Sequence, residues 1–268
     1  MIAAALAIVV AALLLLAWSA QERIAYQPPR STDPVPPGAE RVEYAAEDGQ
    51  PLFALVIPPP DAHGGAAPPR VILAFHGNAD LAVWMAAWGA ETARRTGATV
   101  VVAEYRGYGG LPGRPSADGI RRDARAAFGF VRRRFGAGAH LAYFGHSLGS
   151  AVATELAMEH PPQVLVLESP FTSARDMAAA FGTPLLRWLW PVIGRIPYDT
   201  RARVGSFDVP VWVVHGDRDV IVPTRLGRAV FAAARRPGEL LIVQGAGHND
   251  VAAVGGDEYW HWIQRAFR

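Results

Sequence analysis

Apolar and polar positions divide this chain into three unlike stretches. Ile2 to Ala20 contains no charged side chain and is mostly Ala, Leu, Ile and Val. Gln27 to Gly38 is Pro-rich, with Pro28, Pro29, Pro34, Pro36 and Pro37, and reads as an extended linker. From about residue 40 onward the pattern becomes punctuated. Arg41–Ala46 and Leu52–Ile57 read as two strands joined by the turn Glu47-Asp48-Gly49-Gln50. A second loop, Pro58–Pro69, holds Pro and Gly and is placed at the surface. Then short β-branched or leucine runs at Val71–Phe75, Val100–Glu104, His140–Phe144, Val164–Leu167, Val211–Val214 and Leu240–Val243 alternate with longer stretches that read as helices. These are Leu81–Thr96, Ser116–Phe135, Ser147–His160, Arg225–Arg235 and Glu258–Phe267. The alternation predicts an α/β class: a mostly parallel sheet of about eight strands with helices on both faces. No internal repeat is present.

The first stretch predicts a membrane helix. Nineteen helical residues span about 28 Å, close to the hydrocarbon thickness of a bilayer, and Trp18 lies where an interfacial aromatic is expected. The expectation is a transmembrane signal anchor over residues 1–20, a linker over 21–39 and a catalytic domain over 40–268, attached to the bacterial inner membrane by a single pass. A cleavable export signal with Ala17-Trp18-Ser19 as a small-x-small site competes with it, but the positive n-region of such a signal is missing. A buried soluble helix is the third reading. Arg23 and Arg30 do not fix the orientation, because long domains translocate against so weak a bias.

One connection is longer than the rest. About forty residues separate Leu167 from Val211, among them Phe181, Leu185, Leu186, Trp188, Leu189, Trp190, Val192 and Ile193. An insertion there predicts a small helical cap at about residues 174–200, whose apolar side chains either line an acyl pocket, touch a membrane or fix the cap to the core.

Charge and composition narrow the chemistry. The 268 residues carry a formal net charge of +2, which gives no nucleic-acid footprint. Arg132-Arg133-Arg134 reads as the solvated end of a helix. With no cysteine, disulfides, thiolate catalysis and cysteine–zinc sites are excluded.

The strongest chemical signal is Gly145-His146-Ser147-Leu148-Gly149, a G-x-S-x-G pentapeptide where an apolar strand meets a helix. A serine alcohol is a poor nucleophile, so it must be lifted clear of its neighbours and given a base. Two later strand ends supply the remaining groups. After Val211–Val214 come His215-Gly216-Asp217-Arg218-Asp219, and after Leu240–Val243 come Gln244-Gly245-Ala246-Gly247-His248. His248 is the expected base for Ser147, with Asp217 or Asp219 fixing the imidazole's tautomer. Glu168 is a remoter acid candidate. The oxyanion hole needs two N–H donors: Leu148, and either Asn78 or Ala79 in His76-Gly77-Asn78-Ala79. His76 could serve as a second base, but its position directly after the strand predicts that it braces the loop. Nothing in this set calls for a metal or a cofactor.

These motifs, with Tyr105-Arg106-Gly107-Tyr108-Gly109 and Glu168-Ser169-Pro170-Phe171-Thr172-Ser173, resemble the serine α/β-hydrolase superfamily over roughly residues 40–265. The branch most similar is that of membrane-anchored hydrolases related to the mammalian depalmitoylating α/β-hydrolase-domain proteins, although the cysteine cluster of the mammalian enzymes is absent. The chain order Ser, Asp, His is that of the α/β-hydrolases. The resemblance implies an α/β-hydrolase fold with Ser147 as nucleophile, Asp219 as acid and His248 as base. It also implies ester or thioester hydrolysis of a small-molecule or lipid-like acyl substrate through an acyl-enzyme. A serine peptidase or amidase on the same triad, and a non-catalytic binding protein on the same scaffold, are the competing expectations.

Overall fold

A computed structural model describes residues 2–60, 68–181 and 184–268. Much of the expected surface loop Pro58–Pro69 lies outside the described residues. Eight strands form one sheet: β1 (Glu40–Ala45), β2 (Pro51–Ile57), β3 (Arg70–Phe75), β4 (Thr99–Ala103), β5 (His140–His146), β6 (Leu165–Glu168), β7 (Pro210–Gly216) and β8 (Arg236–Val243). Their spatial order is β1-β2-β4-β3-β5-β6-β7-β8. The β1–β2 and β2–β4 pairs are antiparallel, and the rest are parallel. The order reverses at β3, which lies between β4 and β5. The helices that follow β3 and β5 therefore cover opposite faces of the sheet, and such a reversal is where open α/β sheets commonly hold their ligands.

Both faces of the sheet are covered, which is why its strands read as nearly continuous apolar runs. On β3, Val71, Leu73 and Phe75 join one core cluster, while Ile72 and Ala74 join the other. The first face receives α3 (Ala117–Phe135), α4 (Leu148–Glu159) and α8 (Thr224–Ala233), through residues such as Ile120, Val131, Val152, Leu156 and Val230. The second receives α2 (Ala86–Thr96) and α9 (Val251–Ala266), through Ala93, Tyr259, Trp262 and Ile263. Ser116 caps α3 by accepting from the Gly119 N–H at 3.0 Å, the local reason that helix starts where it does.

Two elements begin earlier than their patterns indicate. Strand β8 starts at Arg236 although Pro237 and Gly238 follow. It lies at the edge of the sheet, where a missing N–H is tolerated. Helix α9 starts at Val251 and continues through Gly255-Gly256, with Gly256 at φ +49 marking a kink between two helical pieces. Between β6 and β7 lie α5 (Ala174–Phe181), α6 (Pro184–Ile193) and α7 (Thr200–Val204). The side chains of Phe181, Leu185 and Leu186 lie outside the described ones. Ile193 is buried and Trp190 packs on the core, whereas Trp188 and Val192 are exposed.

The expected membrane anchor is not upheld. Among the described residues no helix is long and apolar enough to cross a membrane, so the expected inner-membrane location and membrane partner fall with it. Helix α1 runs from Ile2 to Ala25, past the expected end at residue 20, and its polar last turns bind the rest of the protein. Gln21 donates to the Ile193 carbonyl and accepts from the Arg195 N–H at 2.8 Å. Glu22 pairs with Arg195 at 3.3 Å. Trp18, expected at a lipid interface, carries the Arg195 guanidinium over its ring at 4.6 Å.

Candidate active site

Ser147 stands between the end of β5 and the start of α4 with φ +51 and ψ −113. A non-glycine residue in that region carries strain of about 1–3 kcal/mol, so its surroundings must over-determine it. They do so through backbone contact. A Cβ on Gly145 would lie 2.2 Å from the Gly149 carbonyl oxygen, and one on Gly149 would lie 2.1 Å from that of Phe75. The turn closes only with glycine at both positions. Ser147 N–H donates to the Glu168 carbonyl at 2.9 Å, and Ser150 Oγ donates to the Ser147 carbonyl at 2.5 Å. The Ser147 hydroxyl is thus presented at the first turn of α4, where the Leu148 N–H has no intrahelical acceptor.

Three loops bring the sequence-predicted groups together. His248 Nε2 lies 2.9 Å from Ser147 Oγ, and His248 Nδ1 lies 2.7 Å from Asp219 Oδ2. With Nδ1–H donating to the carboxylate, Nε2 is left as an acceptor for the serine proton. Asp219 Oδ1 accepts from the N–H groups of Ile221 at 2.9 Å and Val222 at 2.7 Å. Burial works to raise the Asp219 pKa. Hydrogen bonds from His215 and His248, with the Val222 N–H, outweigh it and hold the carboxyl well below the usual carboxylate range. The two aspartates of this loop separate by function. Asp217 accepts from the Gly245 N–H at 2.6 Å, tying the β7 loop to the β8 loop, and it is Asp219 that meets the ring. Glu168 instead accepts from the Tyr259 hydroxyl at 2.7 Å.

The loop after β3 lies beside the serine: a Cβ on Gly77 would be 3.5 Å from Ser147 Cβ. This places the His76–Ala79 backbone, with Ala79 at φ +53, next to Ser147. His76 is fully buried and braces the loop as expected. Its Nε2 lies 2.7 Å from Glu104 Oε1 and its Nδ1 2.8 Å from the Gly77 carbonyl. Both ring nitrogens therefore face acceptors. Burial works to lower the His76 pKa, but the attraction and hydrogen bond of Glu104 outweigh it and raise it. The result is a buried histidine–glutamate pair beneath the loop. Glu104 also accepts from the Ala82 N–H at 3.0 Å, which fixes the loop's far side.

Two histidines that the sequence did not single out also contribute. His215 Nε2 lies 2.8 Å from the Val222 carbonyl and 3.1 Å from Asp219 Oδ2, the same carboxylate oxygen that meets His248 Nδ1. His146 Nε2 lies 3.1 Å from the His248 carbonyl and steadies the backbone of His248. Both sit inside motifs already noticed, and their position there was the available signal. Among the described residues, no group of three or more His, Cys, Asp or Glu side chains is arranged to hold a metal. Two hollows, one between α3 and α4 lined by Ile120, Glu155 and Tyr198, the other beside β1 lined by Tyr44 and Leu52, are lined by none of Ser147, Asp219 and His248.

The fold and this constellation define a class: a doubly covered sheet with Ser, Asp and His on the carboxyl-end loops of β5, β7 and β8. Residues 66–202 match the family described as serine aminopeptidase, S33. An uncharacterized protein of Mycobacterium tuberculosis is 37% identical over 265 residues, covering 95% of this chain and 90% of its own. A lysophosphatidylserine lipase of Danio rerio is 33% identical over 150 residues, 50% of this chain and 39% of that protein. An esterase of Pyrococcus furiosus superposes with a TM-score of 0.68 at 17% identity, covering 91% of this chain and 98% of that one. The chain belongs to the α/β-hydrolase superfamily.

Proposed function

We propose that this protein is a serine hydrolase that cleaves carboxylic ester or thioester bonds of acyl substrates through an acyl-enzyme intermediate. The observation that carries the reading is the continuous row Ser147 Oγ, His248, Asp219, at 2.9 Å and 2.7 Å. His248 Nε2 takes the hydroxyl proton as Ser147 Oγ attacks the carbonyl carbon. The charge gathering on the carbonyl oxygen is met by the Leu148 N–H and by an N–H of Asn78 or Ala79. The imidazolium then returns its proton to the leaving alcohol or thiol. Water, deprotonated by the same ring, releases the acid and restores Ser147. Asp219 stays ionised throughout and stabilises the charged imidazole. In this reading residues 40–268 are the hydrolase domain and residues 174–200 its cap.

The ester preference draws support from two similar proteins, one named a lipase and one an esterase. A second reading, aminopeptidase or amidase activity, is favoured by the description of the matched family. The two separate on substrate. Full-length protein is assayed on p-nitrophenyl esters of graded acyl length and on aminoacyl p-nitroanilides, with fluorophosphonate labelling and Ser147→Ala as control. The proposal expects ester turnover, time-dependent labelling, and loss of both in Ser147→Ala. Amide turnover that dominates ester turnover would replace it with the second reading. Neither turnover nor labelling would indicate a binding protein on a hydrolase scaffold.

A further inference from the structure

Asn78 belongs to the loop beside Ser147, yet its side chain turns toward residues far back in the chain. Its Nδ2 donates to the Ala25 carbonyl at 2.7 Å, and its Oδ1 accepts from the Gln27 N–H at 2.9 Å. Oδ1 also accepts from the Tyr108 hydroxyl at 2.8 Å. An asparagine needed only for a turn would bond to its own neighbouring backbone. This one joins the end of α1 and the residues after it to the loop after β4.

The segment it grips is itself fastened on two further sides. Toward the β6–β7 connection, Gln21 bonds Ile193 and the Arg195 N–H, Glu22 pairs with Arg195, and the buried Tyr26 hydroxyl lies 3.2 Å from that of Tyr198. Toward α3, Glu22 Oε1 accepts from the Ala117 N–H at 3.3 Å. Farther along, Asp33 accepts from the Trp84 indole N–H at 2.6 Å. A segment that served only as a tether would have no reason to bond at so many separate points.

We propose that residues 21–27 hold the loop after β3 in its working position, with the Asn78 side chain as the positioning residue that transmits their hold. The inference rests on the reading of residues 76–79 as the oxyanion loop. An N–H donor there must meet the oxygen in the transition state to within a fraction of an ångström, so releasing the side-chain clamp lowers turnover without removing any group that touches substrate. The same segment also bonds Ile193, Arg195 and Tyr198 on its other side.

The test uses full-length protein with two changes. Gln21→Ala/Glu22→Ala loosens α1 from its supports at half-buried positions, and melting temperature checks that the variant is folded. Asn78→Ala removes the clamp itself. Hydrogen exchange of the 76–82 segment is read alongside kcat and KM on a p-nitrophenyl ester. The loop should exchange about tenfold faster in both variants, the loss expected when about one hydrogen bond's worth of local stability is removed, while β3 and β5 stay unchanged. The kcat should fall about tenfold in the double variant and up to about a hundredfold in Asn78→Ala, with KM within about twofold. Unchanged exchange in both variants overturns the proposal, as does faster exchange with unaltered kcat in an active enzyme. Wild-type protein without turnover would instead count against the assignment of the site, and the exchange result would still decide whether the segment holds the loop.

Discussion

The loops ending β5, β7 and β8 and the segment preceding β1, which we propose serve the same site, are held by different forces. The serine loop is fixed by backbone against backbone. Gly145 and Gly149 approach carbonyl oxygens so closely that no Cβ fits, and Ser147 is forced to a positive φ. The N-terminal segment is fixed by side chains reaching across the fold, Gln21, Glu22, Tyr26 and Asn78, over sequence separations of 51 to 174 residues. Backbone contact of the first kind is rigid and all-or-none. Side-chain contact of the second kind can be released one bond at a time, each worth about 0.5–1.5 kcal/mol net. On the proposed reading, chemistry is placed on the rigid part and adjustment on the releasable part.

The sharpest way to break this contrast is at the row itself. Ser147→Ala should lower kcat/KM by about 10⁴-fold or more with little change in melting temperature, measured by ester hydrolysis and calorimetry. Asp219→Asn should cost about 10⁴-fold through the wrong histidine tautomer. Asp217→Asn, whose oxygen still accepts from Gly245, should stay within about threefold. Equal losses for the two aspartates would contradict the assignment. Next in size is Gly149→Ala, which should destabilise the fold by more than about 3 kcal/mol in urea unfolding, because its Cβ meets backbone that cannot move aside.

The His76–Glu104 pair gives a pH test. The His76 pKa is raised in the folded protein, so its contribution is fully present below the unfolded value, about 6.5, and is lost as pH rises through the folded one. Melting temperature should therefore fall more between pH 6 and pH 9 in wild type than in His76→Asn, by an amount of about a few degrees. Parallel curves would show that the pair adds no pH-dependent stability. The smallest effect is a gain. Ser147→Gly removes the strained φ and should stabilise the inactive protein by about 1 kcal/mol; a loss would mean that the elbow stores no strain.

How much of this was legible in the sequence follows the same division. Gly145–Gly149 announced the elbow because steric necessity leaves glycine visible at fixed spacing, and the buried parallel strands announced themselves as apolar runs. His248 and the acid loop carrying Asp217 and Asp219 could be located because each follows a strand, whereas the choice of Asp219 over Asp217 came from the family resemblance. What escaped depends on contacts between distant side chains. Gln21, Glu22 and Tyr26 look like the polar end of a membrane helix until Arg195, Ala117 and Tyr198 are seen beside them. His215 and His146 read as motif filler because a hydrogen bond to Asp219 or to the His248 carbonyl leaves no periodic trace. The early starts of β8 and α9 were hidden by Pro237 and by Gly255-Gly256, residues that usually end elements and here sit at a sheet edge and a kink.

The central claim is tested most directly by rapid quenching of the reaction with a p-nitrophenyl ester and intact-mass and peptide mass spectrometry of the protein. A burst of p-nitrophenol together with one acyl group on the peptide containing Ser147, absent in His248→Ala, is the predicted result. Steady ester turnover with no acyl group on Ser147, or with the acyl group on another residue, would contradict it.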